Sequence, residues 1–432
     1  MSTLDPQAVQ LNDTISSVNP AILDMLSDRG KAIFFPKLGI LSQSAEANGK
    51  DINATIGIAK EDSGTPMFLE SIASQFNLPA GQSFTYAPSP GKPDIRKLWK
   101  EQQLQKNPSL NGKTYSNPVV TNALTHALGI AGFLFVDAGD EIILPDYYWE
   151  NYDLTFSIGY GSSMNTFTTF TDDGGFNVDG LKAKLSNGVG KKIVLLNFPN
   201  NPTGYTPTVE DAKKIAATIL EAAEKGNKIV VMLDDAYFGL VFKEGIYKES
   251  IFADLCDAHE NIMAVKLDGP TKEDYVWGFR VGFLAMGVKN GTPELYQALE
   301  AKAGGAIRGT ISNASHLSQS LLVAAWSSAE YPAQKQEKFN TMKQRYEKIN
   351  SILESHPEYA DVFSPLPYNS GYFMCVELKK GNAEEVRQKL LSDYSTGTIA
   401  FGSLIRIAFS CTPADQLEQL FSNVYEAAKA CS

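Results

Sequence analysis

The chain has 432 residues, with 38 lysines and arginines against 49 aspartates and glutamates, a formal charge of −11. That length exceeds what one hydrophobic core usually organises, so two domains are expected. A content of 43% hydrophobic and 20% charged residues is ordinary globular usage and excludes a disordered or fibrous chain. The acidic balance argues against nucleic acid as a partner, because phosphate binding needs a basic surface. No apolar run is long enough to span a bilayer, so no membrane partner is expected. The first twenty residues lack a basic stretch followed by an apolar one, so no secretory leader is expected and the chain is placed in the cytoplasm. Four scattered cysteines, Cys256, Cys375, Cys411 and Cys431, show no C-x-x-C spacing and read as free thiols. The N-x-[ST] triplets at Asn12, Asn53 and Asn313 are then chance matches.

In chain order, Asn117-Pro118 offers a helix start, and the helix is expected to run to Phe135, apolar all round and buried. Asp140–Leu144 and Lys191–Phe198 read as buried strands. Thr208–Lys225 reads as a helix, opened by the Thr208/Asp211 capping-box spacing and closed by Gly226. Lys228–Leu233, Asn261–Leu267 and Gly278–Met286 are further apolar strands. Apolar strands alternating with amphipathic helices predict a mostly parallel sheet covered on both faces, an α/β fold. Phe339, Met342, Tyr346, Ile349 and Leu353 then form one stripe on a long helix. Shorter strands around Gly371–Leu378 and Leu404–Phe409 suggest a smaller domain completed by the N-terminal segment. The expected division is 1–65, 66–325 and 326–432.

Several chemistries lack their motif. No G-x-G-x-x-G follows a strand, and Gly112-Lys113-Thr114 ends like a phosphate loop but has Asn107 where glycine is needed. Four histidines without a cluster predict no metal site. What remains lies after the predicted strands, where ligands bind in open α/β sheets. Strand 191–198 runs into Pro199-Asn200-Asn201-Pro202-Thr203-Gly204, and strand 228–233 into Asp234-Asp235-Ala236-Tyr237. Strand 261–267 runs into Asp268-Gly269-Pro270-Thr271-Lys272, and strand 278–286 carries Arg280 at its start. An amide, a carboxylate, a phenol, an amine and a guanidinium would then share one sheet edge.

This ordered set, N-P-T-G, then D-x-x-Y, then a lysine with an arginine eight residues later in R-V-G, resembles the pyridoxal-phosphate aminotransferases of fold type I. It is most similar to the aspartate aminotransferase family. Ile52–Gly57 followed by Glu61–Pro66, Tyr86-Ala87-Pro88-Ser89-Pro90-Gly91, Trp149-Glu150-Asn151 and Ile405-Arg406-Ile407-Ala408 extend the likeness over nearly the whole chain. The resemblance implies a large domain with a seven-stranded sheet, a smaller α+β domain, and a homodimer with shared active sites.

It also implies roles. Lys272 holds the cofactor's aldehyde as an imine and moves the substrate's Cα proton; Lys266 is its neighbour, but only Lys272 has the eight-residue step to Arg280. Asp234 pairs with the pyridine nitrogen, with Asp235 as the residue most easily mistaken for it; Tyr237 and Asn201 bond the phenolic oxygen. Arg280, Thr271 and the segment Ala123, Leu124 and Thr125 hold the phosphate, helped by Tyr86 of the neighbouring subunit. Trp149 stacks on the ring. Arg406 binds the substrate α-carboxylate beside Gly57, and Arg308 crosses the dimer interface toward a distal carboxylate.

The sequence departs from the pattern at Ala123, Leu124 and Gly269, where small polar residues, Gly and Ser are usual, so two hydroxyls to phosphate are missing. Tyr152 stands where relatives often carry His, and no paired prolines follow Asn313. The expected reaction is ping-pong transfer of an amino group from an aspartate-like or aromatic amino acid to a 2-oxo acid such as 2-oxoglutarate. A β-lyase, a decarboxylase or a catalytically impaired relative are the alternatives.

Overall fold

The structure, a computed structural model, describes residues 4–37 and 39–432. Its centre is a seven-stranded sheet in the order Val119–Thr121, Gly282–Gly287, Ile262–Asp268, Lys228–Asp234, Lys191–Asn197, Glu141–Pro145 and Ser163–Phe167. Gly282–Gly287 runs antiparallel to both neighbours, and the other pairings are parallel. Side chains alternate between the faces as the pleat demands. Val194 and Leu196 enter one core with the helix Val209–Glu224, whereas Ile193 and Leu195 enter another with the helix Ala123–Phe135. Each such fully buried aliphatic side chain contributes about 1.5–3 kcal/mol, so the strands cannot slip by one residue without exchanging cores.

The helix start expected at Asn117-Pro118 is corrected. Val119–Thr121 is a strand, and the helix begins at Ala123. Two valines and a threonine favour extended backbone, and they pair with Leu284, Phe283 and Gly282. The helix is also not buried all round, since Phe133 is 62% exposed. The strand expected from Gly278 begins at Gly282; Arg280 precedes it in a left-handed conformation, φ 54°. The helix after Thr208 forms as expected, with Thr208 Oγ1 accepting from the Asp211 amide at 3.1 Å.

A second sheet orders Ile399–Phe401, Leu404–Ile407, Met374–Leu378 and Phe363–Pro365, all antiparallel. Ile52–Asn53 pairs in parallel with Thr396–Gly397, which ties the N-terminal segment to this end of the chain. The long helix Tyr331–Ser355 buries Met342, Tyr346 and Ile349, with Phe339 and Leu353 packed on the same core.

The loop after Lys191–Asn197 docks on the second sheet's side through Gly204. It has φ 74°, and a Cβ there would lie 1.9 Å from Phe373 O. Its own carbonyl accepts from the amides of Asn369 and Ser370, each at 2.9 Å. The glycine of N-P-T-G therefore serves the approach of the two sheets.

Candidate active site

The strand ends of the large sheet converge on a cavity of about 410 Å³. All but two of the expected site residues line it, the exceptions being Tyr86 and Arg308. Tyr86 is 90% exposed, and Arg308 lies exposed near the end of the helix Pro293–Thr310, donating to Ser312 Oγ at 2.7 Å.

Asp234 ends its strand in register with Asn197. Asn197 is the tie at this edge: its Nδ2 donates to Asp234 O at 2.7 Å, and its Oδ1 accepts from the Asn201 amide at 2.8 Å. The Asp234 carboxylate takes the Tyr152 hydroxyl at 2.6 Å and the Ala236 amide at 3.1 Å. Burial pushes its pKa up to about 6 despite these donors. Trp149 packs edge-on against Tyr152, ring centroids 5.7 Å apart.

Lys272 sits in the turn after Ile262–Asp268. Burial lowers its pKa to about 8; Asp234 opposes this and Arg280 adds to it. Its Nζ lies 5.2 Å from the Tyr237 ring centroid. Lys266 and Asp235, the sequence's competitors, do not line the cavity. They pair with each other, Lys266 lies 3.5 Å from Asp268 as well, and Ser250 donates to Asp235 at 2.7 Å. Burial pulls the Lys266 amine down, and the two carboxylates more than reverse it.

The start of Ala123–Phe135 faces the cavity with Ala123, Leu124 and Thr125. Its N-cap residue, Asn122, makes no side-chain cap bond, which leaves first-turn amides available to an anion. Ala123 holds φ 62°, and Gly282 passes so close that a Cβ on it would lie 2.6 Å from Ala123 C. Leu124 and Gly269 are neighbours: a Cβ at Gly269 would stand 3.0 Å from both Leu124 Cδ1 and Val281 O. The leucine occupies the space that a serine at 269 would need. Thr271 is buried nearby, and Arg280 reaches the cavity from the exposed side.

Arg406 lies in Leu404–Ile407, 3% exposed, an inner strand of its sheet rather than an edge. Its Nη1 donates to Asn201 Oδ1 and its Nη2 to Thr55 O, at 3.4 and 3.3 Å, and Phe373 packs 4.3 Å from the guanidinium carbon. Its Nε finds no partner among the described residues. Burial pulls its pKa below the ordinary arginine value. This buried guanidinium is hydrogen-bonded only to neutral groups, with the Glu150 carboxylate acting on it at longer range, and so has capacity left for an anion.

Sequence reading missed Asn197, Phe373, and Ile40, Leu41 and Ser44, which cover the cavity from the N-terminal segment. Asn197 was visible as a polar residue ending an apolar strand. The other four carry no local signal, because only the fold brings them to the cavity.

The chain matches the family described as aminotransferase class I and II over residues 50–424. It is 28% identical to a probable aspartate aminotransferase of Methanocaldococcus jannaschii, over 54% of this chain and 56% of that one. It is 27% identical to a probable aspartate/prephenate aminotransferase of Aquifex aeolicus, over 58% of this chain and 60% of that one. Both matches thus span less than two thirds of the relative's length. An aminotransferase structure from Anaerococcus prevotii superposes with a TM-score of 0.83 at 24% identity, covering 94% of this chain and 99% of that one. With the family match running over most of its length, the chain belongs to the aminotransferase class I and II family.

Proposed function

We propose that this protein is a pyridoxal-phosphate aminotransferase acting on an aspartate-like or aromatic L-amino acid and a 2-oxo acid such as 2-oxoglutarate. The observation that carries the reading is the half-buried Lys272 amine, depressed to about 8, in one cavity with Asp234 and the incompletely partnered Arg406. The cavity fits the cofactor's three kinds of group. The uncapped helix start, Thr271 and Arg280 would hold the phosphate, Asp234 the ring nitrogen, and Lys272 the aldehyde carbon. Trp149 would stack on the ring, and Asn201 and Tyr237 would bond its phenolic oxygen.

When bound, the cofactor supplies an electrophilic carbon for the amino group and a ring that accepts the electron pair left at Cα. Asp234 keeps that ring protonated, its charge fixed by Tyr152. Arg406 grips the substrate α-carboxylate and orients the Cα–H bond toward Lys272. With the cofactor bound, Lys272 Nζ would take the Cα proton and hold it for return, a role suited to an amine titrating near neutrality.

Tyr86, Arg308 and the exposed Phe68, Phe76 and Phe84 support a homodimer in which Tyr86 and Arg308 complete the partner's cavity. We take the domains as 1–65 with 326–432 around the second sheet, and 66–325 around the first. A cytoplasmic location fits the free thiols.

The test is a half-reaction. Protein loaded with pyridoxal phosphate is mixed with L-aspartate or L-glutamate alone, and the cofactor is analysed by chromatography. Stoichiometric pyridoxamine phosphate, reverted by 2-oxoglutarate, is the expected result. Ammonia or carbon dioxide release without it would place the enzyme among the lyases or decarboxylases.

A further inference from the structure

The long helix Tyr331–Ser355 grips both ends of the candidate site without lining it. Near its start, the half-buried Lys335 packs against the two carboxylates that directly follow Lys272, 2.7 Å from Glu273 and 2.9 Å from Asp274. Lys106 approaches the other oxygen of Glu273 at 2.5 Å. Asp274 also accepts the Tyr331 hydroxyl at 2.8 Å and the Trp326 indole N–H at 2.9 Å. Farther along the same helix, the wholly buried Arg345 donates to Ser410 O at 2.5 Å, and to Lys60 O and Asp62 Oδ1 at 2.7 Å each. Ser410 closely follows Arg406, and Lys60 closely follows Gly57.

One anchor therefore holds the lysine turn, and the other holds the carboxylate-binding segment. Ten residues of α-helix rise about 15 Å, so the rod between the anchors has a set length. The lysine turn needs external support. Tyr275 and Arg280 hold left-handed backbone, φ 59° and 54°, which costs about 1–3 kcal/mol each. Buried ion clusters are also a poor route to stability alone, since apolar replacements often serve as well.

We propose that Lys335 and Arg345 are positioning residues, two anchors of a helical strut, the first holding the Lys272 turn in place and the second the segment that carries Arg406. This rests on the roles given above to Lys272 and Arg406.

The test compares K335M with R345M in the cofactor-loaded protein. Displacement of a reacting group by about 1 Å costs up to about a hundredfold. K335M is therefore expected to lower kcat at least about tenfold with KM within about threefold, and to move the pH midpoint of the cofactor's absorbance. R345M is expected to raise KM, and to weaken succinate binding by calorimetry, at least about tenfold, a larger effect than on kcat, with the absorbance midpoint within about half a unit. K335R is expected to recover most of the kcat. If K335M does not fold, E273Q/K335M, which removes one buried charge of each sign, replaces it with the same expectation.

Equal losses of kcat and KM in both variants, or lowered melting temperatures with unchanged kinetics, would overturn the strut alone. A wild-type protein that takes no cofactor on Lys272 would overturn the functional reading, and the strut with it.

Discussion

Two lysines six positions apart behave in opposite ways. Lys266 lies inside the sheet strand, wholly buried, between Asp235 and Asp268. Asp268 is itself satisfied by the Trp99 indole at 2.8 Å and by Gln103 at 3.0 Å. Lys272 lies beyond the strand end, and its amine is pushed down by burial toward the neutral form. The same contrast separates Asp235, paired and bonded to Ser250, from Asp234, which takes a phenol and an amide. One step along a strand turns a side chain to the other face. Adjacent residues of one type thus serve the fold in one case and the cavity in the other. Burial with a partner of opposite charge builds structure; burial without one leaves capacity for a ligand.

Exchanging the two lysines' fates is the sharpest way to break this contrast. Lys272→Ala is expected to lower turnover at least about a thousandfold without lowering the melting temperature of the cofactor-free protein. Lys266→Met is expected to do the reverse first. It strands Asp235 and Asp268 and costs about 3–5 kcal/mol in denaturant unfolding.

Asp234→Asn sharpens the carboxylate half. In the cofactor-free protein the Asp234 pKa is raised to about 6. Its contribution is fully present below the unfolded carboxyl's range and is lost as pH rises through 6. Asp234→Asn is therefore expected to stabilise that protein by about 1–3 kcal/mol at pH 8 and not at pH 4, measured by thermal melting. Turnover falls about a hundredfold in the same variant. Tyr152→Phe removes a hydrogen bond to a charged group, worth about 1.5–3 kcal/mol, and is expected to raise the Asp234 midpoint further in the same melting series.

The smallest effect concerns the phosphate end. Gly269→Ser alone meets Leu124 and Val281 O, each at 3.0 Å, and is expected to cost about 1–3 kcal/mol. Leu124→Ala with Gly269→Ser removes the side-chain contact but not the Val281 O one, so it is expected to bind pyridoxal phosphate more tightly by fluorescence titration than Leu124→Ala alone.

Much of this contrast was legible in the chain itself. The apolar strands named their own ends, and the eight-residue step to Arg280 separated Lys272 from Lys266 before any geometry was known. Asp234 was separable from Asp235 through Tyr237, three residues on. Other parts were hidden because they depend on contacts between distant residues. The short strand Val119–Thr121 exists because Gly282–Gly287 pairs with it, so a helix was expected there. Leu124 and Gly269 read as separate departures from the pattern; only the fold brings them into contact. The partners of Lys335 and Arg345 lie far away in sequence, where helical periodicity shows only an apolar stripe.

Reduction of the pyridoxal-phosphate-loaded protein with borohydride, followed by peptide mass mapping, tests the division between the two lysines most directly. The pyridoxyl group is expected on Lys272 alone, with Lys266 unlabelled. Label on Lys266, or on neither lysine in a protein saturated with the cofactor, would contradict it.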